Sequence, residues 1–187
     1  MVDGNLPPQN WPKHALGELI NVVNNAKQAR KYLFIWDKQG NVGTFMQYKM
    51  SLAPLGPEIV KMALQRQSAE DIGEFIRAYF VNCMRNGETL GLDLDTSVPD
   101  FASYNKEGTF DAALFFNYEE FAKDEKYLPF VRESENHGIG GLNHGHYNRS
   151  DDFGMVMRSG VTEDETIQEQ IAKIPGFYEN FQHVIIE

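Results

Sequence analysis

Residues 32–37 read Tyr-Leu-Phe-Ile-Trp-Asp, a run of large apolar side chains that ends at a carboxylate. Such a run has no polar face, so it predicts a strand that is covered on both sides. Before it, Leu16, Leu19, Ile20 and Val23 recur at the spacing of an amphipathic helix, which we place at about 13–30. Further along the chain, helical patterns alternate with short apolar runs. This order predicts an α/β fold with a mainly parallel sheet flanked by helices in three layers.

Four later segments are predicted strands. Residues 89–95 alternate leucine with glycine or aspartate, which is typical of a strand with one apolar face. Shorter apolar runs at 114–116, 155–157 and 184–186 indicate three more. The two aspartates of the 89–95 segment are expected on the solvated face of an edge strand.

Helix signals separate these strands. A short helix opens at Gly56-Pro57, and its spacing places Ile59, Val60, Ala63 and Leu64 inward. The clearest helix begins after Ser68, which has the residue type of an N-cap, and ends at Gly87, which is typical of a left-handed C-cap. A charged helix is predicted at 118–126. Thr162 is predicted to cap a last helix.

The segment 37–53 has two interpretations. Asp-Lys-Gln-Gly-Asn at 37–41 has the composition of a hairpin turn, with 42–48 returning as a strand. Phe45, Met46, Lys49 and Met50 also keep helical spacing, which favours a loop that opens a helix. The periodicity does not choose between them.

Composition limits the class of protein. A length of 187 residues is typical of one domain, which we place at 13–187 behind an extended, proline-containing N-terminal arm at 1–12. The formal net charge of −10 disfavours nucleic acid and anionic membranes as partners. Cys83 is the one cysteine and lies on an apolar helical stripe, so it is a predicted core thiol. One cysteine and the absence of a signal-like or membrane-spanning run favour the cytoplasm.

The order of strand, glycine-bearing turn, helix and later acid-ended strand resembles the P-loop nucleotide-binding fold. Residues 32–44 supply the first part and residues 89–95 the second. The resemblance implies backbone N–H groups that cradle phosphates, a hydroxyl on magnesium and a carboxylate that holds the ion. The positions that correspond are Gly40, Asn41, Gly43, Thr44 and Asp95, with Asp93 as the alternative acid.

The segment departs from the family at three positions. Gly43 stands where the phosphate-binding lysine belongs, Val42 where a glycine belongs and Asp37 where the first glycine belongs. Phosphoryl transfer depends on stabilising charge, so the missing cation weakens the case for an enzyme. Asp37 would also repel phosphate. A degenerate site for Mg-ATP is therefore an alternative to having no cofactor.

A second unusual segment lies at 133–152, which is long and rich in glycine, asparagine and histidine. Long connections of this kind tend to be functional or disordered. His137, His144 and His146 supply three imidazoles, which suffice for zinc as an alternative cofactor. Their spacing matches no known site, and the glycines leave the ligands unpositioned. A loop that contacts a partner is the competing interpretation.

These patterns favour a non-catalytic interaction or scaffold protein within a larger intracellular assembly, for which a cytoskeletal assembly would fit. The nucleotide-like site lacks its cation, and the arm and the histidine loop suit surfaces that order on a protein partner. The alternatives are a nucleotide-binding protein or small kinase-like NTPase, and a metal-binding protein. The sequence predicts no catalytic residue.

Overall fold

The computed structural model describes residues 7–187 and contains a six-stranded sheet in which all strands are parallel. The strand order across the sheet is β1-β6-β2-β5-β4-β3. The mainly parallel α/β prediction is therefore confirmed. The strands are β1 (Lys13–His14), β2 (Tyr32–Asp37), β3 (Ser51–Pro54), β4 (Thr89–Asp95), β5 (Gly154–Ser159) and β6 (Phe181–Ile186).

Helices connect the strands. Five of the described helices have nine residues or more and form most of the outer layers. Four precede β4, namely α1 (Leu19–Gln28), α2 (Asn41–Lys49), α3 (Leu55–Ala63) and α4 (Ala69–Asn86), and α7 (Asp164–Ala172) follows β5. Shorter helices lie in the long β4–β5 connection and before β6. They are α5 (Ala112–Phe115), α6 (Asp124–Tyr127) and α8 (Phe177–Asn180).

Two apolar cores cover the two faces of the sheet. Leu33 and Ile35 of β2 pack with α1 and α2 in the smaller core, whereas Tyr32, Phe34 and Trp36 point into the larger, aromatic core that contains α4. Every residue of β2 is buried, as its continuous apolar run predicts. Cys83 is also buried in the larger core, as expected, and this burial raises the pKa of its thiol to about 12.

The segment 37–53 opens a helix. Gly40 adopts φ +77°, which is accessible to glycine at little cost, and α2 starts at the next residue. The Asp37 carboxylate accepts the first N–H groups of that helix. The chain then runs through β3, which is the edge strand beside β4.

Several local predictions were wrong. β4 is an interior strand between β5 and β3, so its aspartates do not lie on an edge strand. Residues 112–115 form α5, because Asp111 caps a helical turn by accepting the Leu114 N–H. Of the residues predicted to face inward from α3, Ile59 packs against the larger core, but Val60, Ala63 and the C-cap residue Leu64 are exposed. The predicted helix at 118–126 is mostly turns, and helix appears only in α6.

The helix caps show mixed outcomes. Ser68 accepts the Asp71 N–H and Gly87 ends α4 at φ +69°, as predicted. The last long helix is present, but its N-cap position is Glu163 instead of Thr162.

The N-terminal segment packs on the domain where it is described. Residues 1–6 of the predicted arm lie outside the described residues. Pro8–Asn10 form a short 3-10 turn, and Trp11 is buried against the ring of His183 at 4.6 Å and that of Phe177 at 5.8 Å. β1 follows and pairs with β6.

The burial of His183 predicts a pH-dependent stability. Loss of hydration lowers the pKa of His183, and the charge of Lys31 acts in the same direction. The unfolded chain then takes up the proton first, so stability falls as the pH drops below about 6.5, by at most about 1.4 kcal/mol per pH unit. We expect H183Q to remove this part of the slope in urea unfolding at pH 5–7.5. The exposed-site control H144Q should retain it, and identical slopes in both variants would contradict the prediction.

Candidate functional site

The carboxyl ends of the parallel strands meet at one edge of the sheet, where open α/β sheets usually bind ligands. Asp37 ends β2, Arg158 lies near the end of β5, and Asp93 and Asp95 lie near the end of β4. Because β5 lies between β2 and β4, Arg158 is flanked by acidic residues on both sides. We call this group the carboxyl-edge cluster.

Asp37 binds the start of α2. Its Oδ1 accepts the Asn41 N–H at 3.2 Å and its Oδ2 accepts the Val42 N–H at 3.0 Å. These N–H groups have no partner within the helix, and the positive end of the helix dipole favours an anion there. The Asp37 side chain is 0% exposed. A carboxylate of the chain itself therefore occupies the position in which a helix N-terminus would hold a phosphate.

Arg158 neutralises that carboxylate. Its Nε donates to Asp37 Oδ2 at 2.8 Å, and its Nη1 donates to Asp93 Oδ1 at 2.9 Å and lies 3.8 Å from Asp95 Oδ1. Burial alone would lower the pKa of Arg158, but the carboxylates of Asp93 and Asp37 outweigh it and raise the pKa. Gly43 leaves room for this approach, because a Cβ there would lie 3.3 Å from Arg158 Cζ and the guanidinium would have to shift slightly.

The lysines close to this segment in sequence point elsewhere. Lys38 Nζ lies 3.9 Å from the centroid of the Trp36 ring and 3.5 Å from Asp164 Oδ1 on α7. Lys49 lies in the last turn of α2, at the opposite end of that helix. The cation of the carboxyl-edge cluster is thus Arg158, and it is already bonded to two carboxylates.

The residues implied by the P-loop resemblance lie at this edge. Gly40 precedes α2, Asn41 and Gly43 are in its first turn, and Thr44 is exposed on the same turn. Asp95 is largely exposed, adopts φ +51°, and its carbonyl accepts the Gly160 N–H at 2.7 Å. The structure therefore brings the first turn of α2 and the acid-ended strand to one edge, with Arg158 between them.

The histidine loop does not gather its three imidazoles. His137 and His144 are paired through an isolated antiparallel bridge. The His137 ring lies 3.3 Å from Arg85 Nη1, whereas His144 is exposed with its Nε2 3.4 Å from Glu133 Oε1. His146 is exposed. Among residues 7–187, no group of three or more His, Cys, Asp or Glu side chains is placed to hold a metal ion.

Two buried contacts fasten this loop to α4. Arg77 is 1% exposed and binds Glu135 through two hydrogen bonds of 2.6 and 2.8 Å. Its Nε and Nη2 also donate to Glu74 at 2.8 and 2.7 Å. Further along, the buried Tyr147 donates its hydroxyl proton to the Val81 carbonyl at 2.8 Å. The loop is therefore held at both ends.

A third feature is an apolar cleft between α1 and α2, with a volume of about 190 Å³. Ile20 on its wall is 51% exposed, and the neighbouring Tyr48 side chain projects into solvent. Exposed apolar groups that cluster in this way indicate an interaction surface. The cleft is lined by Ile20, Val23, Asn24, Phe45, Lys49, Met50 and Thr89.

The chain has no significant match among protein-family models, curated proteins or solved structures. No helix within residues 7–187 has both the length and the apolar character needed to cross a bilayer. Function is therefore inferred from the carboxyl-edge cluster, the histidine loop and the apolar cleft.

Sequence reasoning missed Arg158, which organises the carboxyl-edge cluster. The predicted strand stopped at residue 157, one position before it. A charged residue at the end of an apolar run needs a counter-ion, and Asp37 and Asp93 lie at or near the ends of the neighbouring strands β2 and β4. That pattern was the available signal.

Proposed function

We propose that the protein is a non-catalytic interaction protein that binds a protein partner through the apolar cleft between α1 and α2. The observation that carries this proposal is the cleft itself, with Ile20 half exposed on its wall and Tyr48 beside it. Such a surface costs solubility unless a partner covers it. A larger intracellular assembly, cytoskeletal or other, stays a prediction.

The charge of Lys49 in the cleft indicates which groups a partner segment should carry. Lys49 lines the cleft and forms no ion pair with any other residue in the described part of the chain. We therefore expect a partner segment with an apolar anchor and a neighbouring carboxylate that reaches Lys49. The anchor would fill the space between Ile20 and Phe45, and the carboxylate would give the orientation.

The hydrogen bonds within the carboxyl-edge cluster support a non-catalytic role, because they leave its amides and its guanidinium bonded to carboxylates of the chain. The α2 amides are bonded to Asp37, and the guanidinium of Arg158 is bonded to Asp37 and Asp93. A phosphate would have to displace the Asp37 carboxylate from the helix N-terminus. The two amides and the guanidinium that could stabilise a transferring phosphoryl group are thus already engaged.

Nucleotide binding is the second candidate, because one observation favours it. The segment after β2 opens a helix, which is the arrangement that the P-loop resemblance implies. Mg-ATP at one hundred times its dissociation constant would raise the free energy of unfolding by about 2.7 kcal/mol. We expect no rise with Mg-ATP, Mg-GTP or zinc. A rise with nucleotide would favour this candidate, and a zinc effect lost in H144Q and H146Q would favour a metal site.

The test of the partner surface compares I20D with V60D. Both replace an apolar residue of similar exposure, 51% and 56%, with a charge, but Val60 lies on α3 outside the cleft. A partner captured from the source cells by the wild-type chain is purified, and its affinity for each variant is measured. We expect at least about a tenfold loss for I20D, as for a residue at the centre of an interface, and no change for V60D.

A charge-reversal variant tests the expected carboxylate. K49E should weaken binding of the same partner, because the new carboxylate would repel that of the partner. Added salt should weaken the wild-type complex but partly restore binding of K49E, because it screens the repulsion. Equal affinity of wild type, I20D and K49E would contradict the proposed surface.

A further inference from the structure

A cavity of about 390 Å³ lies between the end of α4 and the histidine loop. It is at the amino ends of β4 and β5, on the side of the sheet opposite the carboxyl-edge cluster. Its walls include two arginines, Arg85 of α4 and Arg149 of the loop, together with His146. Asp151 and Asp152 stand beside them. This cavity shares no lining residue with the cleft between α1 and α2.

The guanidinium of Arg149 packs against aromatic rings, and its buried donors lack hydrogen-bond partners among residues 7–187. Its Cζ lies 5.0 Å from the centroid of the Tyr118 ring and 5.3 Å from that of Phe153. Its Nε and Nη2 are buried and donate to no atom of residues 7–187. No carboxylate in the described part of the chain forms an ion pair with it. Aromatic contact stabilises the cation but satisfies none of its N–H donors.

Arg85 has an unused donor in the same cavity. Its Nη1 donates to the Glu135 carbonyl and lies 3.3 Å from His137 Nε2, and its Nη2 donates to Asn82 Oδ1 at 2.9 Å. Its Nε is buried without a partner among residues 7–187. Two guanidinium groups therefore line one cavity with three unpaired donor atoms between them. Buried donors are paired in most folded proteins, and buried charges even more consistently.

We propose that this cavity binds an oxyanion, a phosphate or a carboxylate, between Arg85 and Arg149. The planar fork of a guanidinium matches both groups and binds them through paired hydrogen bonds. Both arginines line the cavity. Their unpaired donors are buried in the unliganded chain, and the proposal requires a rotation of the side chains that turns these donors towards the ligand. Asp151 and Asp152 disfavour highly charged ligands, which selects a single oxyanion over a polyphosphate.

The test titrates the full chain with inorganic phosphate or with acetate, at constant ionic strength set by sodium chloride. A single-site ligand at ten times its dissociation constant should raise Tm by about 3–6 °C for a chain of this size. R85Q and R149Q should lose this rise. R66Q removes an exposed arginine between α3 and α4 and should retain it.

The two anions distinguish the source of the ligand. Stabilisation by phosphate alone indicates a phosphorylated ligand, and stabilisation by acetate alone indicates a carboxylate. R149K keeps the charge without the fork, so we expect at least about a tenfold weaker affinity by calorimetry. If R149Q does not fold, R85Q and R149K give the same comparison. No saturable effect of either anion, or equal effects in wild type and the cavity variants, would overturn the proposal.

Discussion

Replacing Arg158 with methionine is expected to destabilise the folded protein by about 3 kcal/mol, near the lower end of the range for breaking a buried ion pair. The reason is the Asp37 carboxylate, which is 0% exposed and would stay buried without its cation. Two N–H groups of α2 would continue to bind Asp37, and this keeps the loss from being larger. Asp93 would also lose its 2.9 Å hydrogen bond.

Urea unfolding followed by tryptophan fluorescence measures this loss, because Trp11 and Trp36 are both buried. R66M is the matched control and should change stability by less than about 0.5 kcal/mol, because that arginine is exposed. The double variant D37N/R158M should be less destabilised than the sum of the single variants, since it leaves no buried charge unpaired. Additive losses would contradict the coupling of Asp37 and Arg158.

Replacing Arg77 with methionine should cost about 2–3 kcal/mol and release the start of the histidine loop. Arg77 is 1% exposed and binds Glu74, Glu135 and the Phe130 carbonyl. The two carboxylates are partly exposed and regain some hydration in the variant, so the loss falls below the 3–5 kcal/mol typical of a fully buried pair. The control R132M removes an exposed arginine that also contacts Glu74 and should cost less than about 1 kcal/mol.

Hydrogen exchange separates loss of this anchor from general destabilisation. Amides of residues 130–137 should exchange faster in R77M, whereas those of β2 should change only with global stability. Hydrogen bonds from Arg77 also lower the pKa of Glu74, so stability from this pair is lost as the pH falls through the carboxylate range. R77M should flatten that part of the pH profile. Equal exchange in R77M and R132M would contradict the anchoring role.

Strong local signals allowed much of the fold to be predicted. The continuous apolar run of β2 and the alternating pattern of β4 can each be recognised within six or seven residues, without knowledge of the rest of the chain. The capping pair Ser68 and Asp71 and the C-cap glycine Gly87 fixed α4 in the same way. Residues 37–53 fitted two periods equally well. The Asp37 carboxylate stabilises the helical outcome by accepting the first N–H groups of α2, and residue spacing alone does not show this contact.

The site was harder to predict because its contacts are distant in sequence. Asp37 and Arg158 are separated by 121 residues, and they meet because β5 pairs directly with β2. The predicted strand at 155–157 did not show where in the sheet it would lie or which strands would pair with it. The exposed side of α3 was mispredicted for a related reason. The spacing of apolar residues identifies an apolar face of the helix, but it does not show whether another element packs against that face.

The two-residue strand β1 has a consequence for aggregation. β6 reads Phe-Gln-His-Val-Ile-Ile, and β1 covers the backbone of its last residues at the border of the sheet. Without residues 13–14, an apolar strand with free N–H and C=O groups would face solvent, which is the template on which separate chains stack into fibrils. The opposite border is β3, with four residues and a proline, which offers little to pair with. We therefore expect this small N-terminal strand to hinder edge-to-edge pairing of separate molecules at the end of β6.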